Sequence, residues 1–435
     1  MSVARHLPRM RPLSPRKSAV VSAIDVGTSK VVCLIARLDP NGKTGGWRTH
    51  DARILGIGHQ RARGLKGGQI VDMDQAEMAI RLAVDAAERM AGAQVEASIV
   101  SFAGGRIGSQ HFTARVPIAD GSVAEQDIHR VLEASCLRTT PEGRATLHSS
   151  PTCFQVDEAD GIRDPKGMVG AKLGANLHVA SCDLAAVANL GLAVERCHLS
   201  VEAFVAAPYA SALATLTDDE AEIGATVLDF GGGTTSVAVF VNGALAHLDA
   251  IALGGQHVTL DIARGLNIRL SAAERLKTLY GGVLPSAADD RETFAIEQVG
   301  EDSGRPNHLP RAQLVRIIRP RVEETMELIR DRLRRAGHPT HTGARLVVTG
   351  GASQLAGLVE TARRVFGAQV RVGRPGAAAG LPDSAKTAAF AAPAGLLVYP
   401  QAAFHEHFEP SRPGYQAAVG GGYFARVGRW LKDSF

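Results

Sequence analysis

Apolar residues along this chain recur with two spacings. Short alternating or β-branched runs, the mark of strands, are interleaved with stretches where apolar residues return every three to four positions, the mark of helices. Val20–Asp25 and Val31–Leu38 read as strands either side of a turn at Gly27, and Gln75–Ala91 as a helix with Met78, Leu82 and Ala86 along one face. Ala97–Phe102 is a predicted strand ended by Gly104-Gly105, and Ala124–Leu137 a helix with Ser122 as its N-cap. Asp157–Gly174, rich in Gly, Asp and Lys, closes a region of short mixed elements spanning residues 92–172. Asp183–Val194 and Ala203–Leu216 read as amphipathic helices, and Ala225–Phe240 as a second strand–turn–strand unit. A helical Leu260–Tyr280, a polar loop at Ala287–His308 and a long helix at Ala312–Ala336, which must accommodate Pro320, follow. Leu346–Thr349 is a strand, Gly350-Gly351 a turn, Leu355–Phe366 a helix, and Pro400–Gly422 a linker. Strands and helices alternate in both halves, so the expected class is α/β.

Length and charge narrow this picture. At 435 residues the chain is too long for one core, so two or more domains are expected. No run of about 20 apolar residues occurs, which argues against a transmembrane helix. The richest late run, Phe390–Tyr399, is short and contains Pro393. The net charge of +4 comes from residues 1–18, where Arg5, Arg9, Arg11, Arg16 and Lys17 meet no acid. The remainder is nearly neutral, which excludes a nucleic-acid groove. Three prolines and no apolar core make this leader a disordered basic segment, not a secretory signal. The cysteines, Cys33, Cys136, Cys153, Cys182 and Cys197, are odd in number and form no CxxC pair. That pattern predicts a reduced cytoplasmic chain without a disulfide framework or cysteine zinc site.

The chemistry is concentrated in two turns of one design: Ile24-Asp25-Val26-Gly27-Thr28-Ser29-Lys30-Val31, and Leu228-Asp229-Phe230-Gly231-Gly232-Gly233-Thr234-Thr235-Ser236-Val237. In each, an apolar run ends in Asp, a tight Gly and Ser/Thr turn follows, and a second apolar run leaves. Glycine lets a backbone approach a phosphate closely, and unpaired N–H groups then converge on it. Thr28, Ser29, Thr234 and Thr235 offer hydroxyl donors, while Lys30 faces either the phosphates or solvent. Asp25 and Asp229, facing each other, suit a magnesium ion held largely through water. One such turn would be read as an ordinary hairpin without a ligand. Two copies, with a third strand–glycine–helix element at Leu346–Leu355, point to a nucleotide. There Gly350 and Gly351 would let an adenosine lie against the backbone. A Rossmann fingerprint is excluded because strands, not helices, follow the glycines. Asn41-Gly42-Lys43-Thr44 resembles the end of a Walker loop, but Arg37 stands where its first glycine belongs. Glu274 and Lys277, at i and i+3, would by themselves be read as an exposed ion pair.

The set Asp25-Val26-Gly27-Thr28, Asp229-Phe230-Gly231-Gly232-Gly233-Thr234 and Thr349-Gly350-Gly351 resembles the actin/Hsp70/sugar-kinase superfamily, and within it the chain, from Val20 onward, resembles the bacterial cell-division FtsA family. The resemblance implies an actin-like ATPase fold with two lobes and a nucleotide cleft, a small inserted α+β subdomain and a C-terminal amphipathic helix. It implies a leader (1–18), a first-lobe core (19–91 with 173–206 and 383–400) and an insert used for self-association into filaments (92–172). It further implies a second-lobe core (207–262 with 340–382), a second-lobe small subdomain that binds the FtsZ C-terminal tail (263–339), a linker (401–420) and a membrane-targeting helix (421–435). By the same resemblance Glu274 and Lys277 contact the nucleoside, and Arg311 stands where the family carries a basic partner-binding residue; by itself it reads as a solvated helix charge. The implied function is an ATP- and magnesium-dependent adaptor that polymerises on the cytoplasmic face of the inner membrane at the division site, ties the FtsZ ring to it and recruits later division proteins. One departure bears on hydrolysis. Hsp70-like chains carry a water-positioning carboxylate just before the proline of the connecting helix, and here Ala207 precedes Pro208. Its loss predicts tight nucleotide binding with slow turnover.

On a helix starting at Tyr423, the residues Tyr423, Phe424, Val427, Trp430, Leu431 and Phe435 share an arc of about 140°, with Arg426, Arg429, Lys432 and Asp433 opposite. An aromatic face against a basic face is a membrane-surface pattern; a helix docked on the core is the competing reading. Each basic residue near anionic lipid contributes about 1 kcal/mol. One such helix is therefore a weak anchor, and a polymer carrying many is a firm one. Two other functions compete: a sugar or carboxylate kinase of the same superfamily, and a pilus-assembly protein of the PilM type. Neither is expected to end in a basic aromatic helix.

Overall fold

The computed structural model describes residues 7–10, 13, 14, 16–43, 48–104, 106–136, 141–300, 307–340, 343–376, 378–403 and 406. They divide into two compact units: one from the described parts of 1–111, 140–152 and 178–406, the other from those of 112–139 and 153–177.

In the larger unit, β1 (Ala19–Val26), β2 (Lys30–Pro40) and β3 (His50–Arg61) form an antiparallel meander. A small hairpin, β4 (Leu65–Lys66) and β5 (Gln69–Ile70), leads into α1 (Met73–Ala91), after which β6 (Ala97–Phe102) runs parallel to β1. The chain then passes through β7 (Gly108–Pro117), α2 (Glu125–Cys136), β8 (Arg144–Val156), β9 (Ala159–Ile162) and β10 (Lys172–Asp183), whose strands are ordered β7-β10-β8-β9. Helix α3 (Leu184–Glu195) leads to β11 (Ser200–Ala206), parallel to β6, which completes a first sheet of order β11-β6-β1-β2-β3.

After α4 (Ala207–Thr215) and α5 (Asp218–Ile223), the plan repeats. Strands β12 (Ala225–Phe230), β13 (Thr235–Val241) and β14 (Ala244–Ile251) form another antiparallel meander. Next come α6 (Gly255–Leu266), α7 (Leu270–Tyr280), the pair β15 (Thr293–Ile296) and β16 (Asn307–Pro310), and α8 (Arg311–Arg335). β17 (Arg345–Thr349) lies parallel to β12; α9 (Leu358–Phe366) connects it to the parallel β18 (Gln369–Val372), and α10 (Ala391–Ala402) follows. The second sheet is ordered β14-β13-β12-β17-β18, the same arrangement as the first, with a meander on one side and two parallel strands on the other.

Burial explains the apolar runs. Ala225 and Val227 of β12 face the core shared with the first sheet, while Leu228 and Phe230 face a second core under α6, α8 and α9. A strand covered on both faces shows no polar alternation.

Several expected elements shift. The buried face of α1 is Ala76, Ala79, Ile80, Ala83, Val84 and Ala87, not Met78 and Leu82, which are exposed. The reason is close approach: a Cβ at Gly58 would stand 1.7 Å from the Ala83 carbonyl oxygen, so the glycines of β3 let the helix backbone at Ala83 and Ala87 lie directly on the strand. Ala203–Ala206 is strand, and the helix starts at Ala207 with Pro208 in its first turn. Ser122 does not cap α2; the Asp127 carboxylate accepts the Ala124 N–H instead, at 2.9 Å. The expected polar loop at 287–308 contains β15 and the start of β16. β6, inside the range expected for the insert, is hydrogen-bonded into the first sheet. The leader is not free in its described part: Leu7, Met10 and Leu13 pack on the first core, and the Leu13 N–H donates to the Pro400 carbonyl at 3.2 Å.

One ion pair ties α5 to the sheet edge. Arg371 on β18 donates from Nε and Nη2 to both Glu220 oxygens, at 2.7 and 2.5 Å, and Thr217 completes a capping box with Glu220. Arg371 foremost holds the Glu220 carboxyl below its ordinary 4.5. Because the folded value is depressed, the stabilisation is full above 4.5 and is lost as pH falls through the folded value. Glu220→Gln is expected to cost about 1 kcal/mol at neutral pH, given the partial exposure of Arg371. Thermal melts should show the gap from the parent narrowing in acid; a pH-independent gap would contradict this assignment.

Candidate functional site

The two predicted turns are built alike. Between β1 and β2 the Gly27 N–H donates to the Lys30 carbonyl at 3.0 Å; between β12 and β13 the Gly231 N–H donates to the Thr234 carbonyl at 2.9 Å. An aspartate lies two residues before each glycine, and each is held by a serine from a neighbouring element. Ser101 Oγ, at the end of β6, donates to Asp25 Oδ1 at 2.6 Å. Ser211 Oγ, on α4, donates to Asp229 Oδ2 at 2.5 Å. Burial pushes both carboxyls up, Asp229 to about 6; the Asp25 charge adds to the rise at Asp229, and Lys30 opposes it at both. Their mutual repulsion and shared burial make a pair that gains from a cation.

The turns touch. A Cβ at Gly232 would lie 1.9 Å from Ser29 Oγ, and one at Gly233 2.5 Å from Thr28 Oγ1, so glycine lets the second turn sit directly against the side chains of the first. The start of α6 braces the second turn: Gly255 N–H donates to the Gly231 carbonyl at 2.9 Å and Gln256 N–H to the Gly232 carbonyl at 2.7 Å. Gln256 Nε2 reaches across to the Thr28 carbonyl at 3.3 Å, and Thr28 Oγ1 accepts the Gly68 N–H at 3.0 Å. Thr234 is buried in the turn, whereas the Thr235 hydroxyl donates to the Leu253 carbonyl at 2.8 Å and is used there. Ser29 is exposed.

The third glycine element closes the same site. Gly350 has φ 88°, and a Cβ there would stand 2.3 Å from Asp229 Oδ1. Its N–H donates to the Ala388 carbonyl at 3.1 Å, while Gly351 is exposed with open space above it, Ala389 Cβ being nearest at 3.8 Å. Lys30 is not turned to solvent and lies close enough to Asp25 and Asp229 to feel both charges. Its Nζ donates to the Ala389 carbonyl at 2.5 Å and sits 3.6 Å from the Phe390 ring centroid, and burial lowers its pKa to about 8. Nor are Glu274 and Lys277 a free surface pair. Lys277 Nζ donates to Glu274 Oε2 (2.7 Å), Thr259 Oγ1 (2.8 Å) and the Gly255 carbonyl (3.1 Å), which places both residues at the start of α6.

Arg311 belongs to another neighbourhood and is not a solvated charge. It pairs with the buried Asp289 and donates from Nε to the Tyr280 carbonyl at 2.9 Å, fixing the start of α8. The residues expected to form a membrane helix, Tyr423, Phe424, Arg426, Val427, Arg429, Trp430, Leu431, Lys432 and Phe435, lie outside the described residues. Four contributors escaped the sequence reading: Ser101, Ser211, Gln256 and the stretch Ala388–Phe390. A lone serine in an apolar strand or helix has no spacing signature; the only hint was the position of Ser101 just before Gly104.

Twin sheets with twin Asp-Gly turns, backed by a third glycine strand end, define an actin-like two-lobed fold. Solved structures agree on the fold. A chain of the "PilM-PilN type IV pilus biogenesis complex" matches with a TM-score of 0.59 at 16% identity, over 88% of this chain and 98% of that one. MreB5 of Spiroplasma citri bound to ADP matches at 0.50 with 14% identity, over 89% and 97%. Sequence relatives are far closer. The chain belongs to the family of the cell division protein FtsA: it is 48% identical to that protein from Rhizobium meliloti over 99% of this chain and 98% of the relative, and 33% identical to the one from Escherichia coli K12 over 96% and 98%. The family model "Cell division protein FtsA" matches residues 226–395, and the model "SHS2 domain inserted in FTSA" matches residues 104–181, which leaves β6 outside the insert. The chain is thus a cell-division adaptor, and the kinase and pilus-assembly alternatives fall away. Among the described residues no helix is long and apolar enough to cross a membrane.

Proposed function

We propose that this adaptor binds ATP and magnesium between its two turns and uses the bound state to control assembly on the cytoplasmic face of the inner membrane at the division site. The reading rests on the twin Asp-Gly turns, each with a serine-held buried carboxylate. The residues fit the cofactor: the glycine turns can receive phosphates on the N–H groups of 28–30 and 232–234, while those of Gly27 and Gly231 close the turns themselves. Asp25 and Asp229 would hold magnesium through water, Gly350 and Gly351 would carry the adenosine, and Glu274 and Lys277 would flank it. Since the turns touch, a polyphosphate enters only as they part, which couples binding to lobe movement. Calorimetry should register tight MgATP binding that chelation weakens, followed by slow hydrolysis, as Ala207 supplies no water-orienting group. No adenine-nucleotide uptake would overturn the proposal.

Partners follow from the family reading. The insert is proposed to self-associate into filaments; within its unit Val169 is an exposed apolar residue beside Met168. The small subdomain is proposed to receive the FtsZ C-terminal tail near Leu279 and Tyr280, both exposed, with Arg311 ordering that corner. The C-terminal helix is proposed to bind anionic lipid. Trp430→Ala should abolish co-sedimentation with anionic vesicles while MgATP binding survives; unchanged sedimentation would remove the anchor.

A further inference from the structure

Away from the cleft, three histidines from distant parts of the sequence converge. His111 is on β7, His247 on β14, and His338 in the turn that ends α8, where its N–H donates to the Leu333 carbonyl at 2.9 Å and Gly337 takes φ 83°. Two of the supports are hydrogen-bonded to each other. Ser109, on the same side of β7 as His111, bonds β14 twice, accepting the Leu248 N–H at 2.7 Å and donating to the Leu248 carbonyl at 3.0 Å. Each histidine offers a ring nitrogen, and the three lie within 4.8 Å of one another.

Two features separate this group from an ordinary buried cluster. His247 is 8% exposed, and its Nε2 is buried with no hydrogen-bond partner among the described residues. Buried ring nitrogens normally have partners, so an orphan aligned with two other imidazoles marks a place for an electrophile. Second, the His111 ring lies beside the Ala246 backbone, whose carbonyl can accept one ring N–H and leave the other nitrogen to a ligand. Metal-bound histidines are held in this way by backbone carbonyls.

We propose that His111, His247 and His338 form a binding site for a divalent transition metal of the zinc class, with water as the remaining ligand. Three neutral imidazoles and an open position suit that ion. Tetrahedral zinc with nitrogens at about 2.1 Å needs ligand atoms roughly 3.4 Å apart. The exposed His111 and the turn-borne His338 can close that gap by side-chain rotation. His178, whose ring lies 5.2 Å from His111 and whose Nε2 bonds Ser109 Oγ at 2.7 Å, packs behind the site. A bound ion would cross-link β7, β14 and the end of α8.

The test uses the full-length, untagged chain stripped with chelator and titrated with zinc against a chromophoric competitor. One zinc per chain is expected, with a rise of several degrees in melting temperature. His338→Gln, on a turn, and His247→Ala should each weaken binding at least a hundredfold, and His308→Ala, exposed on β16, should not. Cobalt should give tetrahedral bands without a thiolate charge-transfer band. Absence of stoichiometric binding, full affinity in His338→Gln, or a thiolate signature would overturn the site.

Discussion

Asp229→Asn is expected to weaken MgATP binding about thirtyfold or more while leaving the nucleotide-free protein as stable as the parent, or more so. Asp229 is a carboxylate that the fold pushes up to about 6 because it is buried near a second one. Its ionised form is therefore poorly solvated, and an amide of the same shape removes that penalty. The Ser211 hydroxyl, now 2.5 Å from Asp229 Oδ2, can donate equally to an amide oxygen. What the amide cannot do is supply charge to a cation. Hydrogen bonds to a charged group contribute about 1.5–3 kcal/mol, which at 2 kcal/mol is about thirtyfold in affinity. Calorimetry with MgATP and melting in chelator, run side by side, separate the two effects. A variant that melts several degrees below the parent and binds normally would show that Asp229 serves the fold and not the cofactor.

Gly395→Ala is expected to destabilise the protein by about 2 kcal/mol, although alanine is the better helix former. Propensity favours alanine by about 1 kcal/mol. Packing opposes it: a Cβ at residue 395 would stand 1.7 Å from the Ala210 carbonyl oxygen and 2.4 Å from its carbon. Those are backbone atoms of α4, so α10 must move as a body, and such overpacking costs about 3 kcal/mol. The damage should reach the cleft, because Ser211, next to Ala210, holds Asp229. A melting temperature several degrees lower, with weakened nucleotide binding, is the expected pair of results. Gly376→Ala, where nothing lies within 4 Å of the new Cβ, is the neutral control. If Gly395→Ala melts with the parent, the close α4–α10 approach is not a constraint in solution.

Legibility followed the range of the physics. Both Asp-Gly turns were readable because a tight turn and its flanking strands are local. So was α8, despite Pro320, because apolar spacing outlasts one missing N–H. Misreadings came where a distant backbone set the answer. Met78 and Leu82 point outward because Gly56 and Gly58 of β3 draw the Ala83 and Ala87 side of α1 against the sheet. Ala203–Ala206 is strand because β6 pairs with it. Lys30 bonds the carbonyl of Ala389, 359 residues further along the chain.

The amino-acid order alone determined the α/β class, the duplicated glycine turns and their aspartates, since each needs only neighbours in the chain. Tertiary structure decided which serines hold those aspartates, which face of α1 is buried, and that His111, His247 and His338 meet. Those outcomes depend on steric fit and burial between elements far apart in sequence, and no local pattern encodes them.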